Sequence, residues 1–264
     1  MASLTREQIY KALEEDRFEI YGQPKWTLGN NSCNTYEVFA DILIGENYER
    51  HLPPDFLPII ETDPELTIAF GKWFLRRAFQ DVVRLSQDVG FKVTLSINIF
   101  GFQADRPEFV DKVIELANQT GLNLSDLQFE LSDKQPIGPV GIKNLVRLHD
   151  ELGVRLVLDN FGKGYSNINL LRSIPFNEID LSKEFTVNIT SLELELRIIV
   201  AIKQLAEVLD LACCAKGIET AEQLELLEEA GFHMAQGYLI GRPMRREELR
   251  EFMIKYAPQN TGRT

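Results

Sequence analysis

The feature that most constrains the fold of this chain is a regular alternation of short apolar runs with amphipathic, helix-forming segments. The first strand-like runs are "RFEIYGQ", which ends at Pro24, and "NTYEVFADILI". They are followed by "KVTLSINI", "LQFELS", "VRLVLDN", "EIDLS", "LACCAKGI" and "HMAQGY". Helical patterns such as "PEFVDKVIELANQTG" and "LELELRIIVAIKQLAEVLD" separate most of them. Apolar strands that alternate with amphipathic helices are typical of a parallel sheet covered by helices.

The number of strand-like runs favours a closed (β/α)₈ barrel over an open sheet, and a chain of 264 residues suits one barrel. Thr5 and Gln8 predict a capping box, so we expect a leading helix over residues 5–17. A proline-rich loop, "HLPPDFLPI", should then lead to a long helix around residues 65–89. We expect a single domain over residues 1–257 and a disordered tail over residues 258–264.

Composition and charge exclude several classes of protein. The net charge is −12 and no basic cluster stands out, which argues against direct binding of nucleic acids. The odd number of cysteines, 3, indicates reduced thiols and a cytoplasmic protein. Because no stretch approaches the ~20 apolar residues of a membrane helix, we expect no membrane insertion.

Polar residues lie at the carboxyl ends of the predicted strands, the place where barrels of this class carry their active sites. They are Gln23, Glu37, Asn98, Glu130, Asp159, Asp180, Lys216 and Gln236. Any one of them taken alone is most simply a polar residue that ends a strand at solvent. Their recurrence on every predicted strand favours a shared polar pocket, because the loops at that end of a barrel converge.

Several segments, taken in order, resemble the EAL domain, the cyclic di-GMP phosphodiesterase family of bacterial signalling. They are "YGQP", "YEVF", "SINIF", "FELSD", "LDNFGKGYSN", "EIDLSKEF", "AKGIET" and "QGYLIGRP". The resemblance spans residues 5–256 and implies a TIM-like barrel with one irregular or antiparallel strand at its start.

Active EAL domains use two divalent cations beside the scissile phosphodiester. The resemblance assigns the ligands of the first cation to Glu37, Asn98, Glu130 and Asp159, all of which are present. Carboxylate and amide oxygens suit Mg²⁺ or Mn²⁺. The sequence is therefore compatible with one bound Mg²⁺ or Mn²⁺.

Positions that the resemblance assigns to the second cation and to catalysis are changed. The second aspartate of the Asp-Asp pair is Asn160, the catalytic lysine is Asp180, and the glutamate of Ala-Glu-Gly is Lys216. Ser182 and Asp133 also differ from the family pattern. A lysine in the region of the second cation should repel it, and an aspartate cannot stabilise negative charge on phosphate. We therefore expect no two-metal site, and hydrolysis that is absent or very weak.

Asp180 and Lys216 exchange the charges that the family has on two neighbouring strands. Adjacent strands are ~4.8 Å apart, so the two side chains could form an inverted ion pair. The alternative is two unrelated surface substitutions. An ammonium and a carboxylate separated by well over ~4 Å would exclude the pair.

The resemblance also implies residues that bind the dinucleotide. They are Gln23, Glu37, Glu219, Gln236 and Pro243. Against binding, Asp41 replaces an arginine expected to contact the ligand, and Phe39 adds bulk beside it. Lys163 lies in a loop that the family also uses to dimerise, so a homodimer is one expected assembly, although a solvated loop lysine is the simpler interpretation.

Three functions stay open at this point. The first is an impaired regulator that uses the barrel as a scaffold for an unidentified protein partner. The second is a receptor that binds cyclic di-GMP without cleaving it. The third is a weak metal-dependent phosphodiesterase that releases linear pGpG. Lys216 and Asp180 argue against the third and Asp41 against the second, whereas the four retained first-cation ligands keep both alive.

Overall fold

A computed structural model of the protein describes residues 4–132, 136–162 and 167–259. Its helices are α1 (Arg6–Glu14), α2 (Pro53–Glu61), α3 (Pro64–Val89), α4 (Gly101–Ala104), α5 (Phe109–Thr120), α6 (Pro139–Asp150), α7 (Asn167–Leu171), α8 (Lys183–Thr186), α9 (Glu193–Val208), α10 (Ala221–Glu229) and α11 (Arg246–Lys255). Its strands are β1 (Phe18–Thr27), β2 (Ser32–Ile44), β3 (Glu49–His51), β4 (Thr94–Ile99), β5 (Leu127–Ser132), β6 (Arg155–Phe161), β7 (Glu178–Leu181), β8 (Ala212–Lys216) and β9 (Met234–Gln236).

Eight of these strands form a closed barrel. Strands β2 and β4 to β9 are parallel, and β1 closes the ring by pairing antiparallel with both β2 and β9. The expected barrel, with an antiparallel strand at its start, is therefore confirmed. β3 lies outside the ring as an antiparallel extension of β2. It was not predicted, because three polar residues carry no alternation of apolar and polar positions.

The first strand does not end at Pro24, as predicted, but continues through it to Thr27. Gly22 points its backbone N–H away from β2, toward the carbonyl of Met244. Pro24, two residues later, faces the same side, where β9 pairs only with Trp26 and Thr27. A proline is tolerated there because its missing N–H removes no hydrogen bond from the β1–β2 ladder.

Two predicted boundaries near the helices also need correction. The expected proline-rich loop is helix α2, because prolines in its first turn lack only N–H groups that have no partner inside a helix. Phe56 and Ile60 anchor this helix in the core. The capping box of Thr5 and Gln8 is confirmed, but α1 ends before residue 17 because Asp16 adopts a left-handed φ of 52°.

The barrel strands separate an apolar outer layer from a polar interior. On β4 and β5 the residues Leu95, Ile97 and Phe129 are fully buried, and Phe129 packs against Phe109 of α5 with ring centroids 5.9 Å apart. The alternate residues point inward, where Ser96 donates a hydrogen bond of 2.6 Å to Glu130. Buried charges require partners, so this interior must satisfy its own polar groups.

None of the described helices is long and apolar enough to span a membrane.

Candidate active site

A cavity of about 540 Å³ opens where the parallel strands of the barrel end. Polar side chains on its floor are Gln23, Glu37, Asn98, Asp159, Lys216 and Gln236. Aromatic side chains on its walls are Phe39, Phe70, Phe74, Phe100 and Tyr238. The volume is in the range of small-molecule sites. The shared polar pocket expected from the sequence is therefore present, and it has an aromatic side as well.

The ammonium of Lys216 lies among four carboxylates, two on this floor and two buried beneath it. Its Nζ atom is 2.7 Å from Glu130, 2.7 Å from Asp159, 3.1 Å from Asp180 and 3.3 Å from Glu37. These carboxylates come from four different strands. Only 15% of the Lys216 side chain is exposed, so water does little to screen these contacts.

The predicted contact between Asp180 and Lys216 is confirmed by their separation of 3.1 Å. Asp180 is fully buried, so its substitution does not lie at the surface, as the alternative assumed. The contact is nevertheless not an isolated pair, because each partner also binds other charged groups.

A second lysine, Lys25, lies below Lys216 inside the barrel and was missed from the sequence. It is fully buried, and its Nζ atom is 2.8 Å from Glu178, 3.0 Å from Asp180 and 3.2 Å from Glu130. Glu178 was missed as well. The alternation of inward and outward residues along a strand could have identified both Lys25 and Glu178. Lys25 lies two residues after Gln23 on β1, and Glu178 lies two residues before Asp180 on β7, so each shares the inward face of its strand.

Burial and the two ammonium groups shift the pKa values of these acids in opposite directions. Burial raises the pKa of Glu37 to about 7, and it raises that of Asp180 to about 7 although Lys25 and Lys216 oppose the change. Burial would also raise the pKa of Glu130, but Lys216 and Lys25 outweigh it and hold the value at about 2. Neighbouring carboxylates keep the pKa of both lysines well above its usual value despite burial. The lysines therefore remain charged. The carboxylates outnumber them, so protons bind to carboxylates whose pKa is raised.

Two groups of described side chains have ligand atoms close enough together for a metal ion, within 4.8 Å of one another. One is Glu130, Asp159 and Asp180, and the other is Glu178, Asp180 and Cys214. The oxygen-rich first group suits Mg²⁺ or Mn²⁺ in its chemistry. Lys216 contacts all three of its members, however, and Lys25 contacts Glu178 and Asp180 of the second. The residues therefore do not fit a divalent cation while the two amines occupy these positions.

The contacts of Lys216 add to the interpretation drawn from the sequence, which placed its amine in the region of a second cation. The amine contacts Glu37, Glu130 and Asp159, three of the four residues that the resemblance assigns to the first cation. The side chain points inward from the end of β8, and its length carries the amine into the ring of acids.

The two asparagines of the predicted site both turn their amide N–H groups onto carboxylates. Asn98, which is exposed to the cavity, donates a hydrogen bond of 2.5 Å to Glu37. Asn160 donates to Asp159. Asn160 also has a φ of 57°, at an irregularity in the β6–β7 pairing, and asparagine tolerates this left-handed conformation better than most residues.

Most of the residues expected to bind a dinucleotide do surround the cavity. Gln236 donates to Glu37 at 3.0 Å and to Gln23 at 3.3 Å, and the exposed Glu219 lies on the cavity rim. Pro243 is exposed and is not among the described residues that line the cavity.

Asp41, also singled out from the sequence, is not among the described residues that line the cavity. Asp41 is buried and accepts a hydrogen bond of 2.6 Å from Arg50, whose guanidinium lies 4.2 Å from the Tyr21 ring centre. Its charge is thus already paired, which weakens the repulsion expected from it. Lys163 and Asp133 lie outside the described residues.

Comparison with known proteins agrees with this geometry. The EAL domain family matches residues 6–243 of the chain. The chain is 30% identical over 253 residues to the cyclic di-GMP phosphodiesterase NbdA of Pseudomonas aeruginosa, covering 95% of this chain and 32% of that protein. It is 29% identical over 241 residues to the cyclic di-GMP phosphodiesterase RocR of the same species, covering 89% and 60%. The chain thus spans about a third of NbdA and less than two thirds of RocR.

Solved structures give the same result. The EAL enzyme Bd1971, in its form bound to cAMP and cyclic di-GMP, matches with a TM-score of 0.87 and 25% identity, over 94% of this chain and 67% of the other. The PaMucR phosphodiesterase in complex with cyclic di-GMP matches with a TM-score of 0.83 and 28% identity, over 92% and 98%. With its barrel, its ring of acids and its match over residues 6–243, this chain belongs to the EAL domain family.

Proposed function

We propose that this protein is a catalytically impaired EAL domain that acts in bacterial cyclic di-GMP signalling as a receptor for the dinucleotide. The observation that carries the proposal is the ammonium of Lys216 at the cavity floor, held within 2.7–3.3 Å of four carboxylates. It neutralises the acids that would otherwise bind a divalent cation. Without that cation, no metal ion polarises a water molecule for attack on the phosphate.

Loss of hydrolysis is also supported by the chemistry at position 180. The family resemblance assigns a catalytic lysine there, whereas Asp180 is fully buried and its pKa is raised to about 7 by burial. Asp180 carries no positive charge and is not among the described residues that line the cavity, so it does not replace a lysine that stabilises negative charge on a phosphate. The protein therefore has a site in which binding and cleavage are separable.

Binding of the nucleotide is supported by the walls of the cavity. Aromatic rings such as Phe100 and the half-exposed Tyr238 offer surfaces on which a purine can stack. Amide groups of Gln23 and Asn98 lie on the floor beside them. The related PaMucR phosphodiesterase and Bd1971 are known in complex with cyclic di-GMP.

A second candidate is a weak metal-dependent phosphodiesterase that converts cyclic di-GMP to linear pGpG. Relatives named as phosphodiesterases and the acidic group Glu130, Asp159 and Asp180 favour it. Comparison with relatives alone supports this candidate better than the receptor. The amines of Lys216 and Lys25 weigh against it, because they occupy the positions that a cation would need.

Calorimetric titration with cyclic di-GMP, with and without Mn²⁺, together with chromatography of the products, tests the proposal. We expect binding that does not depend on Mn²⁺, and hydrolysis at least about 100-fold slower than that of PaMucR measured in parallel. Tyr238→Ala should weaken binding by about 5- to 150-fold, because stacking on one base contributes about 1–3 kcal/mol. Tyr48→Ala, at an equally exposed tyrosine away from the cavity, is the matched control.

Two outcomes contradict the receptor. Turnover close to that of PaMucR would show that hydrolysis is intact and would establish the second candidate. Absence of binding would leave the scaffold for an unidentified protein partner, which affinity capture would then have to identify. The homodimer, the cytoplasmic location and the single domain over residues 1–257 stay predictions.

A further inference from the structure

The four acids around Lys216 present a puzzle if catalysis is impaired. Three of them, Glu37, Glu130 and Asp159, are residues that the family resemblance assigns to a metal ion, and all three are buried. A buried carboxylate without a partner is strongly unfavourable, so these positions would be expected to change once no cation was bound. In this chain they are retained, and all three contact the same nitrogen atom, Nζ of Lys216.

We infer that the ammonium of Lys216 is a tethered replacement for the divalent cation. The acids are retained because they hold this amine, and the pocket works without a metal. Removing the amine should unmask a site for Mg²⁺ or Mn²⁺ that the native protein lacks. In so far as it concerns the pocket of the proposed receptor, this inference rests on the proposed function, but its test does not use the nucleotide.

Space is the first reason why amine and cation exclude each other. Carboxylate oxygens of Glu130, Asp159 and Asp180 lie within 4.8 Å of one another, and Nζ of Lys216 is 2.7–3.1 Å from an oxygen of each. Mg²⁺ binds oxygen at about 2.1 Å, so an ion held by the same three groups would lie almost at the position of the nitrogen.

Charge and tethering are the second reason. Two positive charges so close together repel strongly in an interior that water does not screen. The amine is part of the chain and is therefore always present at a high effective concentration, whereas an ion must bind from solution and displace it. Below it, Lys25 already neutralises part of the charge of Glu130 and Asp180, which further weakens their attraction for a free ion.

The inference is tested by counting bound Mn²⁺ from the electron paramagnetic resonance signal of the free ion. We expect the native protein to leave the Mn²⁺ signal unchanged at about 100 µM ion, which corresponds to an affinity weaker than about 1 mM. Lys216→Ala should bind one Mn²⁺ per chain under the same conditions, and Mn²⁺ should raise its melting temperature. Lys183→Ala, which removes an exposed lysine beside the same cavity, should behave like the native protein.

Stoichiometric Mn²⁺ binding by the native protein would overturn the inference, since the amine would then not exclude the ion. Failure of folded Lys216→Ala to bind Mn²⁺ would overturn it equally. If Lys216→Ala does not fold without metal, Lys216→Gln, which keeps the length but not the charge, is measured in its place and is held to the same two criteria. If the native protein does not bind cyclic di-GMP, the proposed receptor is contradicted but the Mn²⁺ result is unaffected. The two failures are therefore distinguishable.

Discussion

Lys25 is a charged residue that the fold encloses completely. It is fully buried, and its contacts are the carboxylates of Glu130, Glu178 and Asp180. Burial of an ion pair contributes little net stability, but removal of one partner leaves the other charge uncompensated. The effect of Lys25 on stability should therefore be visible when it is removed, because the buried carboxylates would then lack a positive partner.

Lys25→Met is expected to lower the free energy of unfolding by about 3–5 kcal/mol near neutral pH. Lys25 lowers the pKa values of all three acids, so its removal should raise them, and burial already raises that of Asp180 to about 7. An acid with a raised pKa in the folded state loses stability as the pH rises, so the loss should be larger at about pH 8 than at about pH 5.

Urea unfolding of the native protein and of Lys25→Met at both pH values measures this effect. Lys183→Met, at an exposed lysine, is the control and should stay within about 0.5 kcal/mol of the native protein at both pH values. A loss below about 1 kcal/mol for Lys25→Met, equal at the two pH values, would show that the lysine does not neutralise the acids.

At the scale of secondary-structure elements, the ends of β8 and β9 depend on one close approach of two backbones. Gly237 follows β9, and Ile218 follows β8. A Cβ atom on residue 237 would lie 2.1 Å from the carbonyl oxygen of Ile218 and 2.2 Å from its nitrogen. Both atoms are held, because Ile218 donates to Gln236 at 3.1 Å and accepts from Leu239 at 3.0 Å.

Gly237→Ala should therefore destabilise the protein by about 1–3 kcal/mol or more, as overpacking at a rigid contact does, and should also weaken ligand binding by displacing Gln236. Thermal and urea unfolding measure the first effect and calorimetric titration the second. Gly29→Ala is the matched control, since Gly29 has a φ of 82° but nothing within 4 Å of its added Cβ. Its cost of about 1 kcal/mol is conformational only, so equal losses in the two variants would contradict the steric argument.

At the scale of the whole molecule, the three cysteines report on the integrity of the barrel. Cys33 on β2 and Cys213 and Cys214 on β8 are all fully buried free thiols. Burial raises the pKa of Cys33 to about 12 and also raises those of Cys213 and Cys214. Because the thiolate is the reactive form, none should react quickly with a thiol reagent while the barrel is closed.

Ellman's reagent at about pH 8 checks this expectation. The native protein should show almost no reaction over minutes, and all 3 thiols should react once urea unfolds the chain. Rapid reaction of one thiol in the folded protein would indicate that β2 or β8 opens locally, because modification then follows the population of the open form.

Much of the fold was predictable because its signals are local. The alternation of strands and helices needs only neighbouring residues, and so does the capping box of Thr5 and Gln8. The pocket was also predictable, since polar residues that end parallel strands meet at one end of a barrel. The α2 helix was missed because prolines mark both loops and helix N-termini, and β1 was cut short because Pro24 carries no sign of which edge it faces.

The sequence by itself determined the barrel, the family and most of the acids around the cavity floor. The spacing of apolar residues and the order of the segments can both be read directly from it. Only the tertiary structure decided which charges meet. Lys25 and Glu178 are 153 residues apart in the sequence, yet Nζ of Lys25 lies 2.8 Å from a carboxylate oxygen of Glu178. Asp41 is paired with Arg50, which lies on a strand that was not predicted. Such contacts depend on barrel closure and on the length and direction of each side chain. That is also why the amine of Lys216 lies among residues that the resemblance assigns to the first cation.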